Sequence, residues 1–438
     1  RERGFDSCTG LVLDFGAGKG QDAIGSLVRG LLDLDPGSGK AERAAAADHA
    51  IAEGLLAGER RPHLNDLLDL PQPDDLRSLY EAMDNETRAL GRQETLTGLV
   101  AGHSERRPLL LRIEDLHWAD QATLEQTAAL ARAVVDCAAL LVLTTRNAGD
   151  PVDDDWLQRA GPNTLTTLEL GPLDEVEAAG LAHEFADLEA GLVATCVARA
   201  GGNPLFLEQL LRNVDELADG NIPGSVQGIV QARLDAIPVI DRQALQAAGV
   251  LGQRFTLAAL HRVADLPDYN PDRLLAAALI RPVSGGYLFG HALIRDGALA
   301  SMLSPQRREL HLRAAAWFAE RDTLLHANHL DAAEDPGAAA AYLTAAREFE
   351  GNFRYDDAMA AIERGVEIAE AADLRFDLEH LHGDVLRSAG HTDQSIEAFR
   401  AALATAPDDT ARCRTLIGIA AGLRVLGQAD ETLAILDQ

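Results

Sequence analysis

Two adjacent acidic residues, Glu114 and Asp115, end an apolar run that begins at Leu109. A polar turn follows, and then Asp120, a residue type that commonly caps helix N-termini. A buried strand ending in two carboxylates fixes both at the edge of a parallel sheet. There, one carboxylate can hold Mg²⁺ through water and the other can orient an attacking water. The alternative is a strand that ends in solvated acids, so further motifs decide between the two interpretations.

Two more segments carry residues suited to nucleotide chemistry. Arg146 follows the apolar run Leu140–Thr145, and at the tip of a neighbouring strand it could reach a terminal phosphate. Gly201, Gly202, Asn203 and Pro204 form a tight turn that could pack on an adenine ring. In isolation, the arginine is more typical of a surface ion pair, and the turn is more typical of a simple helix start.

The expected partner of such acids, a phosphate-binding loop G-x-x-x-x-G-K-[ST], is absent from the sequence. Gly18-Lys19 fails because Leu13 and Gly20 stand where a glycine and a hydroxyl residue are required. Gly39-Lys40 fails in the same way. We therefore expect this chain to bind ATP poorly and not to hydrolyse it.

The glycines at Asp14–Gly20 form D-x-G-x-G-x-G after an apolar run, which matches the first motif of S-adenosylmethionine-dependent methyltransferases. A glycine motif alone is weak evidence, and no N-P-P-Y-like motif follows. A glycine-rich turn into the next helix is the interpretation we favour. His326 and His329 share a helix face, but no third metal ligand accompanies them, so packing is favoured over metal binding.

Strand patterns and helix patterns alternate in residues 1–172, as in a parallel sheet covered by helices, and these elements would position the residues named above. Short apolar runs predict strands at Leu11–Phe15, Leu109–Glu114, Leu140–Thr145 and Leu165–Leu170. Helical patterns predict helices at Asp22–Leu32, Ala41–Leu56, Asp74–Ala101 and Gln121–Val135.

Beyond residue 172 the strand signals stop, and three further regions are predicted. Residues 173–222 read as a helical lid, with helices at Asp174–Phe185, Leu188–Ala200 and Pro204–Leu217. Residues 223–300 hold short helices and a hairpin around Ser284-Gly285-Gly286, typical of a winged-helix-like module. Residues 301–438 are all helical.

A repeat runs through this C-terminal region, where Ala358, Ser395 and Thr432 recur at a constant spacing. In the middle copy, Gly383 and Phe399 fall at tetratricopeptide (TPR) spacing. The fold class expected for the whole chain is thus α/β plus all-α, ending in TPR-like repeats.

Composition limits the functional classes. At 438 residues, the chain is too long for one core, so several domains are expected. Its net charge of −30 disfavours contact with nucleic acid or an anionic membrane. The four cysteines lie far apart, and no signal peptide or spanning run is visible, which favours a reducing, cytoplasmic setting. Because the chain begins Arg1-Glu2-Arg3, we expect a fragment of a longer protein.

Taken in order, four motifs resemble the STAND-class signal-transduction ATPases, such as large LuxR-type regulators and ATPase modules fused to class III adenylate cyclases. The four motifs are Glu114–Asp120, Thr144–Arg146, Gly202–Phe206 and Phe289–Asp296. The resemblance covers nearly the whole chain. It implies an incomplete P-loop NTPase sheet whose P-loop lies upstream of Arg1.

The resemblance also implies roles for single residues. Glu114 corresponds to the acid that contacts Mg²⁺ through water, and Asp115 to the catalytic acid. Arg146 corresponds to the sensor arginine that detects the terminal phosphate. Asn203 and Pro204 would lie beside the adenine of ATP or ADP, and His291 would contact the diphosphate of ADP.

The function implied is a nucleotide-driven switch, with the TPR-like region sensing a protein or small-molecule signal. An oligomer is a further expectation. A LuxR-type regulator would place the DNA-binding domain outside this stretch, and a cyclase would place its catalytic domain there. Two alternatives of other classes stay open: a methyltransferase using Asp14–Gly20, and an inactive protein-binding scaffold.

Overall fold

The computed structural model of the chain describes residues 4–12, 22–35, 38–161, 165–183, 190–212, 226–283 and 285–437. The chain divides into two compact units. The first unit joins Arg1–Thr164 with Arg308–Gln438, and the second unit is Leu165–Arg307. Within the described ranges, no helix combines the length and apolarity needed to cross a membrane. The predicted boundaries at 172, 222 and 300 stay predictions.

A small parallel sheet lies in the first unit, with strand order β1-β2-β3. Its strands are β1 (Asp6–Leu11), β2 (Leu109–Glu114) and β3 (Ala139–Leu143). Leu11 pairs with Glu114, and Ile113 with Leu143, so the carboxyl ends of all three strands meet at one edge. The prediction of β2 is confirmed, and β3 lies within two residues of its prediction.

Two strand predictions need correction. The first strand runs over Asp6–Leu11 rather than Leu11–Phe15, and residues 13–15 lie outside the described part. The strand lacks an apolar run because Asp6, Ser7 and Thr9 are polar and because Gly10 is required where a Cβ would lie 2.4 Å from the Ala23 carbonyl oxygen. Leu165–Leu170 forms no strand. Leu170 is 94% exposed there, and without a neighbouring ladder an apolar run cannot satisfy its backbone as a strand.

One face of the sheet carries the core of the first unit. Leu109, Leu111 and Ile113 alternate along β2 and are all nearly inaccessible to solvent. The helices of this part of the chain are α1 (Asp22–Leu31), α2 (Lys40–Ala52), α3 (Arg61–Leu67), α4 (Asp74–Glu81), α5 (Asn85–Ser104), α6 (Gln121–Ala133) and α7 (Asp154–Ala160). α1, α5 and α6 contribute side chains to the same core.

The long helix predicted at Asp74–Ala101 is in fact two helices, α4 and α5. The break falls at Asp84, which takes an extended backbone conformation and accepts a hydrogen bond from the Thr87 amide at 2.7 Å. An aspartate in this conformation satisfies a free amide of the following helix and so begins a new helix. The predicted N-cap at Asp120 is confirmed, because its side chain accepts from the Thr123 amide at 2.8 Å.

The second unit is largely helical. Its helices are α8 (Glu175–His183), α9 (Ala190–Ala200), α10 (Pro204–Arg212), α11 (Val226–Ala236), α12 (Val239–Leu251), α13 (Leu257–Ala264), α14 (Asp272–Ala276) and α15 (Ala292–Ala300). The predicted hairpin is present as β5 (Ile280–Val283) and β6 (Gly286–Phe289), with Ser284 outside the described residues. A third short strand, β4 (Arg254–Phe255), pairs with β6 on its other side, giving an antiparallel sheet.

The C-terminal region consists of TPR-like helical hairpins. Its helices are α16 (Ser304–Phe318), α17 (Thr323–Ala332), α18 (Ala338–Gly351), α19 (Tyr355–Ile368), α20 (Ala372–Ala389), α21 (Thr392–Thr405), α22 (Asp409–Val425) and α23 (Ala429–Leu436). Gly383 lies directly against the fully buried Phe399 ring, as the repeat spacing predicted. Gly390 ends α20 in the left-handed conformation that favours glycine.

Candidate functional site

The acidic pair lies where the carboxyl ends of the strands meet. The Glu114 carbonyl accepts from the Val12 amide at 3.0 Å, and the Thr144 amide donates to the Ile113 carbonyl at 3.0 Å. On the far side of the pair, the Leu116 amide donates to the Thr144 carbonyl at 2.8 Å. The acids are therefore held by backbone bonds from both neighbouring segments, β1 and the end of β3.

Asp115 adopts a left-handed backbone conformation, with φ 61° and ψ 43°. Its amide donates to Thr144 Oγ1 at 3.1 Å, which keeps the turn in place. The carboxylate is half-buried, and within the described chain it has no hydrogen bond or ion pair. A side chain held in a sparsely populated conformation with an unengaged carboxylate is a typical feature of a functional position.

Glu114 differs from its neighbour because it has a cationic partner. Arg112 precedes it on the same face of β2, and Arg112 Nη1 lies 3.6 Å from Glu114 Oε1. The Arg112 guanidinium also donates from Nη2 to Thr9 Oγ1 at 2.9 Å. Arg112 was not among the predicted site residues, although its position two residues before Glu114 in a strand places both side chains on one face.

Arg146 lies at the same edge. Its guanidinium carbon is 6.0 Å from the centre of the Trp118 ring, within range of a cation–π contact. Trp118 belongs to the short turn Leu116–Trp118 that follows Asp115 and is 46% exposed. The fold thus brings Glu114, Asp115 and Arg146 to one edge, while the roles predicted for them stay predictions.

The residues at this edge fit a Mg²⁺–nucleotide only in part. Asp115 has a free carboxylate that suits contact through water. Glu114 fits less well, because a guanidinium beside it offsets the charge a cation needs. Among the described residues, no group of three or more His, Cys, Asp or Glu side chains could hold a metal ion directly. A metal here would rely on the phosphates and water for most of its ligands.

Of the two lysines considered as phosphate ligands, Lys40 lies in the described part of the chain and Lys19 does not. Gly39-Lys40 begins α2, where Glu42 Oε2 accepts from the Gly39 amide at 3.0 Å. A carboxylate that already occupies a helix N-terminus repels phosphate, which supports rejecting this lysine. Asp14–Gly20, with Lys19, lies outside the described residues.

The remaining predicted nucleotide contacts lie in the second unit. Asn203 Oδ1 accepts from the Phe206 amide at 3.0 Å, so Asn203 caps α10 and Pro204 is its first residue. His291 caps α15 and accepts at Nδ1 from the Leu293 amide at 3.1 Å. Both side chains therefore have a structural task as helix caps, and their nucleotide contacts stay predictions.

The histidines of the repeat region form a buried packing contact. His311 and His329 approach with their Nδ1 atoms 3.0 Å apart, and His329 stacks on Phe318. Burial, reinforced by His311 and His326, lowers the pKa of His329 to about 3. His326 donates from Nδ1 to the Ala315 carbonyl instead. The arrangement matches the favoured interpretation of these histidines as packing residues.

A contact within the first unit joins the repeats to the α/β part. Arg88 of α5 is buried, and its guanidinium carbon lies 4.6 Å from the ring centre of Phe353 and 5.4 Å from those of Tyr80 and Tyr355. Arg88 Nε donates to the Tyr80 carbonyl at 3.1 Å. We call these four residues the Arg88 cage. Its members come from both parts of the chain, so the repeats pack on the helices of the α/β part.

Ion pairs surround this cage. Arg354 Nη1 lies 3.1 Å from Asp69 Oδ1 in the α/β part, and Arg354 Nε lies 2.7 Å from Asp357 Oδ2 in α19. Burial raises the pKa of Asp357 to about 6. Arg354 opposes this rise, and Asp120, the residue that caps α6 after the acidic turn, adds to it.

Comparison with known proteins agrees with the repeats. The profile of the family described as "Tetratrico peptide repeat" matches residues 381–438. An uncharacterized protein, R02095 of Rhizobium meliloti (strain 1021), is 30% identical over 236 residues, which are 48% of this chain. The chain spans only 22% of the length of that relative.

One solved structure aligns along most of the chain. It is a Signal Transduction ATPase with Numerous Domains (STAND) protein with a tetratricopeptide repeat sensor, PH0952 from Pyrococcus horikoshii. The alignment covers 94% of this chain and 76% of that one, at 12% identity and a TM-score of 0.41. At that score the similarity does not assign a family. The C-terminal region consists of TPR-like repeats, as the profile match at residues 381–438 shows. The comparisons leave the class of the α/β part to be proposed.

Proposed function

We propose that this chain is the regulatory portion of a nucleotide-dependent signalling switch. In it, a protein or small molecule bound by the TPR-like repeats changes the state of the acidic edge at Glu114 and Asp115. The observation that carries the proposal is the Arg88 cage, because it connects the repeats physically to the helices behind that edge. Coupling between two sites requires an element that both can bias, and α5 contacts both the sheet core and the repeats.

The chemistry at the edge supports a nucleotide as the second ligand. Asp115 supplies a free carboxylate, and Arg146 supplies a guanidinium near the end of the adjacent strand. Together they suit a Mg²⁺-bound phosphate chain, with ATP or ADP as the proposed ligand in the intact protein. Within the second unit, Asn203 and Pro204 are proposed adenine contacts and His291 a proposed diphosphate contact, as the resemblance implies. We propose control of transcription through a LuxR-type DNA-binding domain as the output, with a class III cyclase domain as the alternative.

A second function is favoured by one observation. The Arg112 guanidinium beside Glu114 leaves the pair with only one free acid, as in an ATPase that has lost its activity. On this alternative, the chain is a scaffold that binds proteins through its repeats. Tight coupling between the repeats and the turn at Leu116–Asp120 would have no purpose in a scaffold, so that coupling separates the two functions.

Hydrogen exchange measured on the whole chain tests the coupling. We compare Phe353→Ala, which opens the Arg88 cage, with Phe376→Ala, which removes a buried ring of the repeats elsewhere. A switch predicts faster exchange at the amides of residues 116–120 in Phe353→Ala only. If both variants leave that turn as protected as in the wild type, the repeats do not control the acidic edge and the proposed function is wrong.

A further inference from the structure

The turn between α18 and α19 holds a phenylalanine in a position that suits glycine. Phe353 has φ 61°, in the left-handed region, where a bulky side chain is a rare exception. Gly390 and Gly427 follow it at the constant interval of the repeats, and both are also left-handed, with φ 90° and 76°. Phe353 therefore stands where the equivalent turns of the later repeats have glycine.

These turns share one backbone geometry. In each, the amide after the left-handed residue donates to a carbonyl in the last turn of the preceding helix: Arg354 to Phe349 at 2.9 Å, His391 to Leu386 at 2.8 Å and Gln428 to Leu423 at 3.0 Å. This pattern is the Schellman motif, in which glycine is preferred just after the helix end. The hairpin itself imposes the left-handed conformation, so a phenylalanine at this position lowers the stability of its own hairpin.

The Phe353 side chain contacts the α/β part. The centre of its ring lies 4.6 Å from the Arg88 guanidinium carbon and 5.4 Å from the centre of the Tyr80 ring, which it meets edge-on. Both geometries stabilise beyond the burial of the ring. At Gly390, by contrast, a Cβ would have no neighbour within 4 Å among the described residues. Phenylalanine thus stands in the turn that faces a partner.

The next residue strengthens the same contact. Arg354 Nη1 lies 3.1 Å from Asp69 Oδ1, and Asp69, in the turn after α3, is itself left-handed, with φ 51°. On the repeat side, the contact is made by a turn and by Tyr355, the first residue of α19. Because these are side-chain contacts, they can open without breaking the backbone bonds of α18 or α19.

We propose that residues 351–355 are a docking latch, in which Phe353 fastens the α18–α19 hairpin to the α/β part at the expense of the hairpin's own stability. In the docked state, Phe353 lies in the Arg88 cage. In the released state, the two parts separate at this contact while both stay folded. Release in response to a signal rests on the proposed function, whereas the latch itself does not.

Hydrogen exchange on the whole chain tests the latch with two substitutions at one position. Phe353→Ala and Phe353→Gly both remove the ring, so amides of α4, which carries Tyr80, should exchange about tenfold faster in both. Only glycine relieves the left-handed turn. Amides of α19 should therefore exchange about fivefold more slowly in Phe353→Gly than in Phe353→Ala. Phe353→Leu, which also keeps a Cβ in the turn, replaces the alanine variant if that variant does not fold.

Gly390→Ala is the matched control, because it adds a Cβ to the equivalent turn where no contact can be gained or lost. It should speed exchange in α21 about fivefold and leave α4 unchanged. Unchanged exchange in α4 for both Phe353 variants overturns the proposal, and so does equal exchange in α19. Exchange at residues 116–120 in the same samples reports on the proposed function separately, so either can fail alone.

Discussion

At the scale of single residues, Asp115 combines a functional side chain with an unfavourable backbone. Its φ of 61° lies in the left-handed region, which disfavours residues with a Cβ by about 1 kcal/mol. Aspartate tolerates this region better than most residues, but glycine tolerates it best. The conformation is maintained because Thr144 accepts hydrogen bonds from the turn at both its side-chain hydroxyl and its backbone carbonyl.

We predict different stabilities for two substitutions of Asp115. Asp115→Gly should be more stable than Asp115→Ala by about 1 kcal/mol, because only glycine relieves the left-handed conformation. Both variants lose the carboxylate and with it any Mg²⁺–nucleotide contact. Urea unfolding at neutral pH measures the difference. Equal midpoints for the two variants would show that the turn is not held in this conformation in solution.

His329 should make the repeats sensitive to acid. Its folded-state pKa is lowered from 6.5 to about 3, so the unfolded chain binds more protons than the folded chain between these values. Stability should therefore be complete above the unfolded pKa and fall as pH decreases below it, by about 2 kcal/mol between pH 7 and pH 5. His329→Gln removes the titrating group. Its unfolding free energy should lose this part of the pH dependence, and an unchanged slope would contradict the assignment.

At the scale of helices, buried contacts hold the parts of the first unit together. The Arg88 cage surrounds a buried cation with three aromatic rings, and the carbonyls of Tyr80 and Glu81 accept from Nε and Nη2 of its guanidinium. Such a buried cation is tolerated only because these partners surround it. Losing one of them should therefore cost more than the loss of an exposed ion pair.

We predict that Arg88→Met destabilises the chain by about 3 kcal/mol. The methionine keeps much of the stem, but it removes one hydrogen-bond donor from each of the Tyr80 and Glu81 carbonyls. Arg77→Met, at an exposed arginine of α4, is the matched control and should stay within about 0.5 kcal/mol of the wild type. Thermal unfolding followed by circular dichroism compares the two. A small effect at Arg88 would mean that the repeats do not pack on α5.

Close packing of the repeat hairpins gives a second test at this scale. A Cβ at Gly383 would lie 2.6 Å from the Phe399 ring, so Gly383→Ala should cost about 2 kcal/mol through overpacking. Adding Phe399→Leu should recover part of that loss by making room. Gly351→Ala has no neighbour within 4 Å and should be close to neutral. Chemical unfolding of the four proteins separates steric overlap from the general effect of a methyl group.

At the scale of the whole molecule, the missing phosphate-binding loop dominates what the chain can do alone. We predict that calorimetric titration with Mg·ATP gives no binding in the micromolar range and that no phosphate is released. The reason is that the sequence contains no G-x-x-x-x-G-K-[ST] loop, whose backbone amides would bind the phosphates beside the Asp115 carboxylate and the Arg146 guanidinium. Micromolar binding that is lost on Lys19→Ala would contradict this prediction and would make the glycines at Asp14–Gly20 a binding loop.

The sequence alone determined the features that depend on near neighbours along the chain. The apolar run Leu109–Ile113 fixed β2 to the residue, Asp120 marked the start of α6, and the 37-residue spacing of Ala358 and Ser395 revealed the repeats. Each of these follows from alternation, capping or periodicity within a few turns of chain. The first strand escaped prediction because Asp6, Ser7 and Thr9 are polar and Gly10 carries no side chain, so no apolar run marks it.

Only the tertiary structure decided which distant residues meet. It placed Arg112 beside Glu114 and Thr9, turned Asp115 into a left-handed conformation, and brought Arg354 to Asp69 across 285 positions of sequence. Such contacts depend on how whole helices pack, and no local pattern encodes that. The acid pair could therefore be found from its spacing, but its unequal chemistry, one acid free and one paired, exists only in the folded chain.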